Sequence, residues 1–218
     1  MVLRLRHDLQ HREPAAGFAS RLAVVNRRPM GEFLRDMGIK PHELDKGVEG
    51  AVRELAEVGG ADPDLLLRYS PHQGRNERFS TLAGEVMGVT AVNRTFFRFC
   101  PKCVEEDLAE FPGPMAGRPW LRLQWVVSHF RSCGKHGIYF EKAAPLRRRF
   151  QHFDFAETIE TLLPGLAELS AKVERAPASP FQDWLLARID GVRAPDLMLD
   201  DMPLGAAAEW CEALGVSA

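Results

Sequence analysis

RTFFRFCPKCVEEDL, residues 94–108, and SCGKHG, residues 132–137, decide how this sequence is read. Each holds a short chelating turn, CxxC at Cys100 and Cys103 and CxxH at Cys133 and His136. Structural zinc takes four tetrahedral ligands from thiolates and imidazoles, usually supplied by two such turns that the fold brings together. Three of the four cysteines in the chain fall in this pattern, so it predicts one structural Zn2+ held by Cys100, Cys103, Cys133 and His136. Gly134 and Gly137 relieve backbone crowding beside the ion. His129, four residues before Cys133, is a rival ligand, ranked lower because it breaks the CxxH unit. Cys211 in AAAEWCEALG reads as a small core residue on a helix stripe with Ala207 and Leu214.

The expected ligand set is closed, whereas a hydrolytic zinc keeps one position for water. HExxH is absent, as are the HxE element of the deaminases, a GxxxxGK[ST] loop and a GxSxG elbow. The reading is therefore of a protein that is not an enzyme. Glu105, Glu106 and Asp107 follow Cys103 and are read as charges that balance basic neighbours or cap a helix.

Working outward, 45% hydrophobic and 27% charged residues in 218 are ordinary globular values. No segment has the apolar run of a signal peptide or a membrane span, so a cytoplasmic location is the default; there a reduced CxxC pair holds metal more readily than it forms a disulfide. The net charge of −2 conceals a division, with residues 1–93 neutral, 94–149 at +6 and 150–218 at −8. Such polarity suits an anionic partner for the middle and a basic one for the tail, notably at Asp196, Asp200 and Asp201, or an internal contact between the two.

Before the cysteines, apolar spacing predicts helices over GFASRLAVVN, with Phe18, Leu22 and Val25 on one face and Asn26 closing it, and over MGEFLRDMG. VEGAVRELAEVGG and ADPDLLLRYS follow, with Asp62 as N-cap and Pro63 at N1. These last two form either a helix-turn-helix or a plain αα-hairpin, the commoner of the two. In the former case Arg68, Arg75 and Arg78 would meet phosphates. TFFRF, WVVSHF and GIYFEKA are predicted strands around the metal, and VEEDLAEF one or two helical turns. Helices return over FAETIETLLPGLAELSAKV, SPFQDWLLARIDG with Ser179 as cap, and PLGAAAEWCEALGV. The expected fold is thus mainly α with a small zinc-ribbon-like α+β unit in the middle and helical, helix-turn-helix-like ends. Its divisions are 1–93, 94–149 and 150–218, and the last, ending in LGVSA, reads as a truncated helix-turn-helix.

FCPKCVEEDL with RPWLRLQWVVSHFRSCGKHGIYF resembles the CPxCLxxD, W-R-L-x-W and CxxHxxxL elements of the TniQ family, accessory proteins of Tn7-like transposons. EPAAGFASRLAVVNRRPMGEFLRDMGI is similar to that family's opening helices. The resemblance implies a non-enzymatic targeting adaptor joining a target selector, either a DNA site or an RNA-guided CRISPR effector complex, to a AAA+ ATPase that regulates the transposase; the members that bind a CRISPR complex often work as dimers, which makes a homodimer a candidate assembly. It gives the zinc ligands the same four residues and makes Trp120, Arg122 and Trp125 packing around them. A zinc-containing DNA-binding transcriptional regulator is the alternative. Lys102, Arg131 and Lys135 on the knuckles and the run Arg147, Arg148 and Arg149 are the candidate contacts to nucleic acid or a partner.

Overall fold

In the computed structural model, residues 2–74, 78–143, 154–177 and 179–215 are described. Helix α1 (Ala15–Val25) buries Phe18, Ala19 and Leu22 completely and is closed by Asn26, as expected, whereas Val25, placed on the same face by its spacing, is only partly buried. Around it lie α2 (Met30–Asp36), α3 (Pro41–Asp45), α4 (Glu49–Gly59) and α5 (Pro63–Arg68). The stripe of α4 faces inward through Val52, Leu55 and Ala56, and Gly60 stops the helix in the left-handed region at φ 69°. Asp62 caps α5 by accepting hydrogen bonds from the Asp64 and Leu65 amides. The apolar pattern did not foresee α3, a five-residue helix with Pro41 at N1.

Next come β1 (His72–Gln73), β2 (Phe79–Leu82) and β3 (Glu85–Gly88), an antiparallel sheet in that order. This sheet was not anticipated. Its β2–β3 turn is the two-residue Ala83-Gly84, with φ of 53° and 82°, a hairpin signal weakened by alanine in the first position.

In the middle lie β4 (Arg98–Phe99), α6 (Pro101–Glu110), α7 (Leu123–Val126), β5 (Ser132–Cys133), β6 (Ile138–Tyr139) and β7 (Glu141–Lys142). The expected strands shrink: TFFRF contributes two strand residues, and in WVVSHF a helical turn holds Trp125 and Val126 while Val127 makes a single bridge to Val92. VEEDLAEF belongs to a ten-residue helix that begins inside CPKC, with Cys100 at N-cap and Pro101 at N1. β4 pairs with β7 and β5 with β6.

Helices α8 (Phe155–Leu162), α9 (Leu166–Lys172), α10 (Pro180–Ile189), α11 (Met198–Asp201) and α12 (Leu204–Ala213) complete the chain. Pro164 breaks the first predicted C-terminal helix into α8 and α9 through a 3-10 turn. Ser179 caps α10 through the Gln182 amide. About half the chain is helical, with small antiparallel sheets. Among the described residues no helix is long and apolar enough to cross a membrane.

Among the described residues, three apolar clusters form the interior. One lies within α1–α5; a second joins Leu82 and Met87 to Leu123, Phe130, Leu185 and Leu204; the third surrounds the cysteines with Phe99, Trp125, Phe155 and Ile159. The last two draw on residues from more than one of the charge-defined segments. Buried polar groups stitch the parts together. Glu13 and Arg21 form an ion pair at 2.9 Å, each side chain at most 1% exposed. Asp154 caps α8 and hydrogen-bonds Ser20 on α1. Arg188 on α10 reaches Glu85 at 3.0 Å and Asp200 at 2.9 Å. Of the three acids proposed for a basic partner, Asp200 is therefore turned inward, where it also accepts the Trp184 indole N–H, while Asp196 and Asp201 are exposed.

Candidate metal centre

Cys100 stands at the N-cap of α6 and Cys103 one turn into it; Cys133 ends β5, and His136 lies in the turn before β6. The Gly137 amide donates to the Cys133 carbonyl at 2.8 Å and closes the second knuckle, with Gly137 at φ 59°. One ligand atom from each of the four residues lies within 4.8 Å of the others. Nδ1 of His136 is 3.3, 3.4 and 3.5 Å from the sulfurs of Cys100, Cys103 and Cys133. The Cys103 and Cys133 sulfurs are 3.6 Å apart. A tetrahedral ion with bonds of about 2.3 Å to sulfur and about 2.0 Å to nitrogen has edges of about 3.8 Å between sulfurs and about 3.5 Å from sulfur to nitrogen. The donor set therefore fits one metal ion.

Its electrostatics favour a cation as well. Hydrogen bonding to Cys100 and Cys133, together with burial, pushes the Cys103 thiol far up, while the bonds from Cys100 and Cys103 hold Cys133 well down. Cys100 rises to about 11, the lowering by its hydrogen bond with Cys103 being outweighed by Cys133 and burial. Three buried sulfurs this close cannot all ionise unless a positive ion sits among them.

Around the ligands, α6 supplies one acid after another. Glu106 accepts from His136 Nε2 at 3.1 Å and Lys135 Nζ at 2.7 Å. Asp107 takes both terminal nitrogens of Arg122 at 2.8 Å, and Glu105 accepts the Ser170 hydroxyl at 2.7 Å. The Arg122 guanidinium lies 4.2 Å from the Trp120 ring centre and 4.8 Å from that of Trp125. The W-R-L-x-W stretch thus closes over one partly buried cation, held by a buried acid one turn beyond Cys103. Sequence reasoning left Glu105, Glu106 and Asp107 without specific partners. Their spacing from Cys103 would have placed Glu106 at i+3 and Asp107 at i+4 had α6 been read as one helix from Pro101.

Residues 4–139 match the TniQ family model. The chain belongs to the TniQ family. Membership makes it a Tn7-like, transposition-related protein of a family of adaptors that are generally non-enzymatic. The TniQ match contains all four candidate ligands, Asp107 and Arg122, and stops at Tyr139, the end of β6. No curated protein shows a significant match to the chain.

Beyond the match, the C-terminal part grips the candidate metal unit. Residues 173–177 run beside β6, with Tyr139 N donating to Glu174 O and Ala176 N to Gly137 O, both at 3.0 Å. The Gln182 side chain on α10 accepts from the amides of Arg131 and Ser132 at the edge of β5.

The candidate binding residues are dispersed. Arg68 is directed inward, donating to the Ile189 carbonyl at 3.0 Å and lying over Tyr69. Lys102 is exposed and lines a cleft of about 480 Å³ with His136, Ser170 and Arg175. Arg131 is 3.6 Å from Glu212, Lys135 is paired with Glu106, and Arg78 is exposed beside β2. Arg75, Arg147, Arg148 and Arg149 lie outside the described residues. His129, the rival ligand, is buried with Nδ1 3.0 Å from Glu212. Cys211 is in the core, as expected, but Leu214 is 62% exposed and does not share its buried stripe.

Proposed function

We propose that this TniQ protein is a non-enzymatic targeting adaptor that links a target-site selector, either a DNA site or an RNA-guided CRISPR effector complex, to the AAA+ ATPase regulating a transposase. The family match over residues 4–139 carries this reading. The ion is Zn2+, the usual occupant of a tetrahedral site of thiolates and imidazole, and its role is structural because all four positions are filled by protein side chains. Cys100, Cys103, Cys133 and His136 hold it; the ion supplies cross-linking, and α6, β5 and β6 present the surfaces around it.

The transcriptional-regulator reading rests on α5 as a recognition helix and on the +6 charge of residues 94–149. Among the described residues, α5 turns Asp64 and Leu65 outward and Arg68 inward, which gives that reading little support. The test is co-purification of the intact chain with a cognate AAA+ ATPase and target complex. Retention of both by the intact chain is expected, and failure to bind either overturns the adaptor role. Tight binding to a single operator with no ATPase association would favour the alternative instead.

A further inference from the structure

We propose that Glu106 is a positioning residue for the metal: it selects the tautomer and fixes the ring of His136, and thereby sets how firmly the ion is held. A neutral imidazole carries one N–H and one lone pair. With Nδ1 directed at three sulfurs, the N–H has to reside on Nε2. Glu106 Oε1 is 3.1 Å from that nitrogen and accepts a hydrogen bond from its N–H. A carboxylate in this position orients a ligating histidine and raises its basicity.

Two further contacts keep Glu106 in place. It lies three residues after Cys103 on the same face of α6, so its backbone moves with the first knuckle. Its second oxygen takes Lys135 Nζ at 2.7 Å, and Lys135 precedes His136 in the second knuckle. One side chain therefore spans both chelating turns. The competing account is a plain surface ion pair, since Glu106 is 41% exposed and Lys135 66%; such pairs contribute little. The two accounts differ in which partner matters, His136 or Lys135.

The proposal rests on the metal reading and is independent of the adaptor role. The measurement is the rate at which the zinc-loaded full chain gives up its ion to an excess of chromogenic chelator at neutral pH, with far-UV circular dichroism confirming that each loaded variant is folded. Glu106→Ala should release zinc about 10–100-fold faster. Glu106→Gln, whose amide oxygen can accept the same N–H, should fall between that variant and wild type. Lys135→Ala should stay within about 3-fold of wild type, as expected for the loss of an exposed pair. In cobalt-loaded protein the visible ligand-field bands should shift for Glu106→Ala and not for Lys135→Ala. Equal release by Glu106→Ala and wild type overturns the proposal, as does equal release by Lys135→Ala and Glu106→Ala. A wild-type chain that retains no zinc overturns it together with the metal reading.

Discussion

Replacing Arg122 with methionine tests whether the partly buried cation at the centre of the W-R-L-x-W stretch holds the candidate metal unit together. Methionine keeps aliphatic bulk between Trp120 and Trp125 but strands the Asp107 carboxylate, which is 4% exposed and loses two hydrogen bonds of 2.8 Å. Removing one member of a buried ion pair typically costs about 3–5 kcal/mol. Protonation sets a ceiling, because a stranded acid can take up a proton instead. From the ordinary value of 3.8, doing so at pH 7 costs about 4.4 kcal/mol, at about 1.36 kcal/mol per unit. Burial already holds Asp107 above that value, so the charge penalty lies below the ceiling. A loss of about 3 kcal/mol is expected at pH 7. At pH 5 the ceiling falls to about 1.6 kcal/mol. The variant's folded-state Asp107 pKa is raised, so its penalty is full at high pH and fades as pH falls. Urea unfolding of wild type and Arg122→Met at both values measures this, and adding Asp107→Asn should recover more than half of the pH 7 loss. A loss under about 1 kcal/mol at pH 7, or one of equal size at both pH values, would refute a buried ion pair as the source of stability.

Chelation should raise hydrogen exchange across residues 100–143 and, through the strand-like pairing at 173–177, across α9; protection in α9 that is unchanged while the knuckles open would show the two to be uncoupled. Gly205→Ala places a methyl 2.9 Å from the Met87 Cα and the Val86 carbonyl oxygen, so α12 must lift from β3. The expected cost in urea unfolding is about 1–3 kcal/mol, and a neutral or stabilising result contradicts that close approach. Burial, then Arg21, lowers the His7 pKa from 6.5 to about 4, so the folded state resists its protonation. Stability tied to His7 is full above pH 6.5 and is lost as pH falls towards 4; His7→Gln should flatten that part of the pH–stability curve, and an unchanged slope would exclude His7 as its source.

The metal centre was legible because chelation is local. Two residues between ligands let one turn reach one ion, so Cys100, Cys103, Cys133 and His136 could be picked out without knowing how the chain folds, and the structure brings them within 4.8 Å. The helices α1, α2, α4, α5 and α10 were legible for a similar reason, since apolar periodicity, Asp62, Ser179 and Gly60 act within a turn or two. The β1–β3 sheet escaped because its stability comes from α12 seated against β3 at Gly205, more than a hundred residues away. The aromatic run WVVSHF read as a strand by composition, yet Trp125 is needed to pack against Arg122 and Phe155, and that packing favours a helical turn.

The sequence by itself therefore determined the candidate ligands, most of the helices and the family resemblance, all of which are properties of residues close together along the chain. Only the tertiary structure decided what charge does. It paired Glu106 with His136, closed Asp107 on Arg122, turned Arg68 towards Ile189 and drew Asp200 inward to Arg188. A charge's partner is set by distance in space, and a basic or acidic segment carries no record of which of its members will be buried.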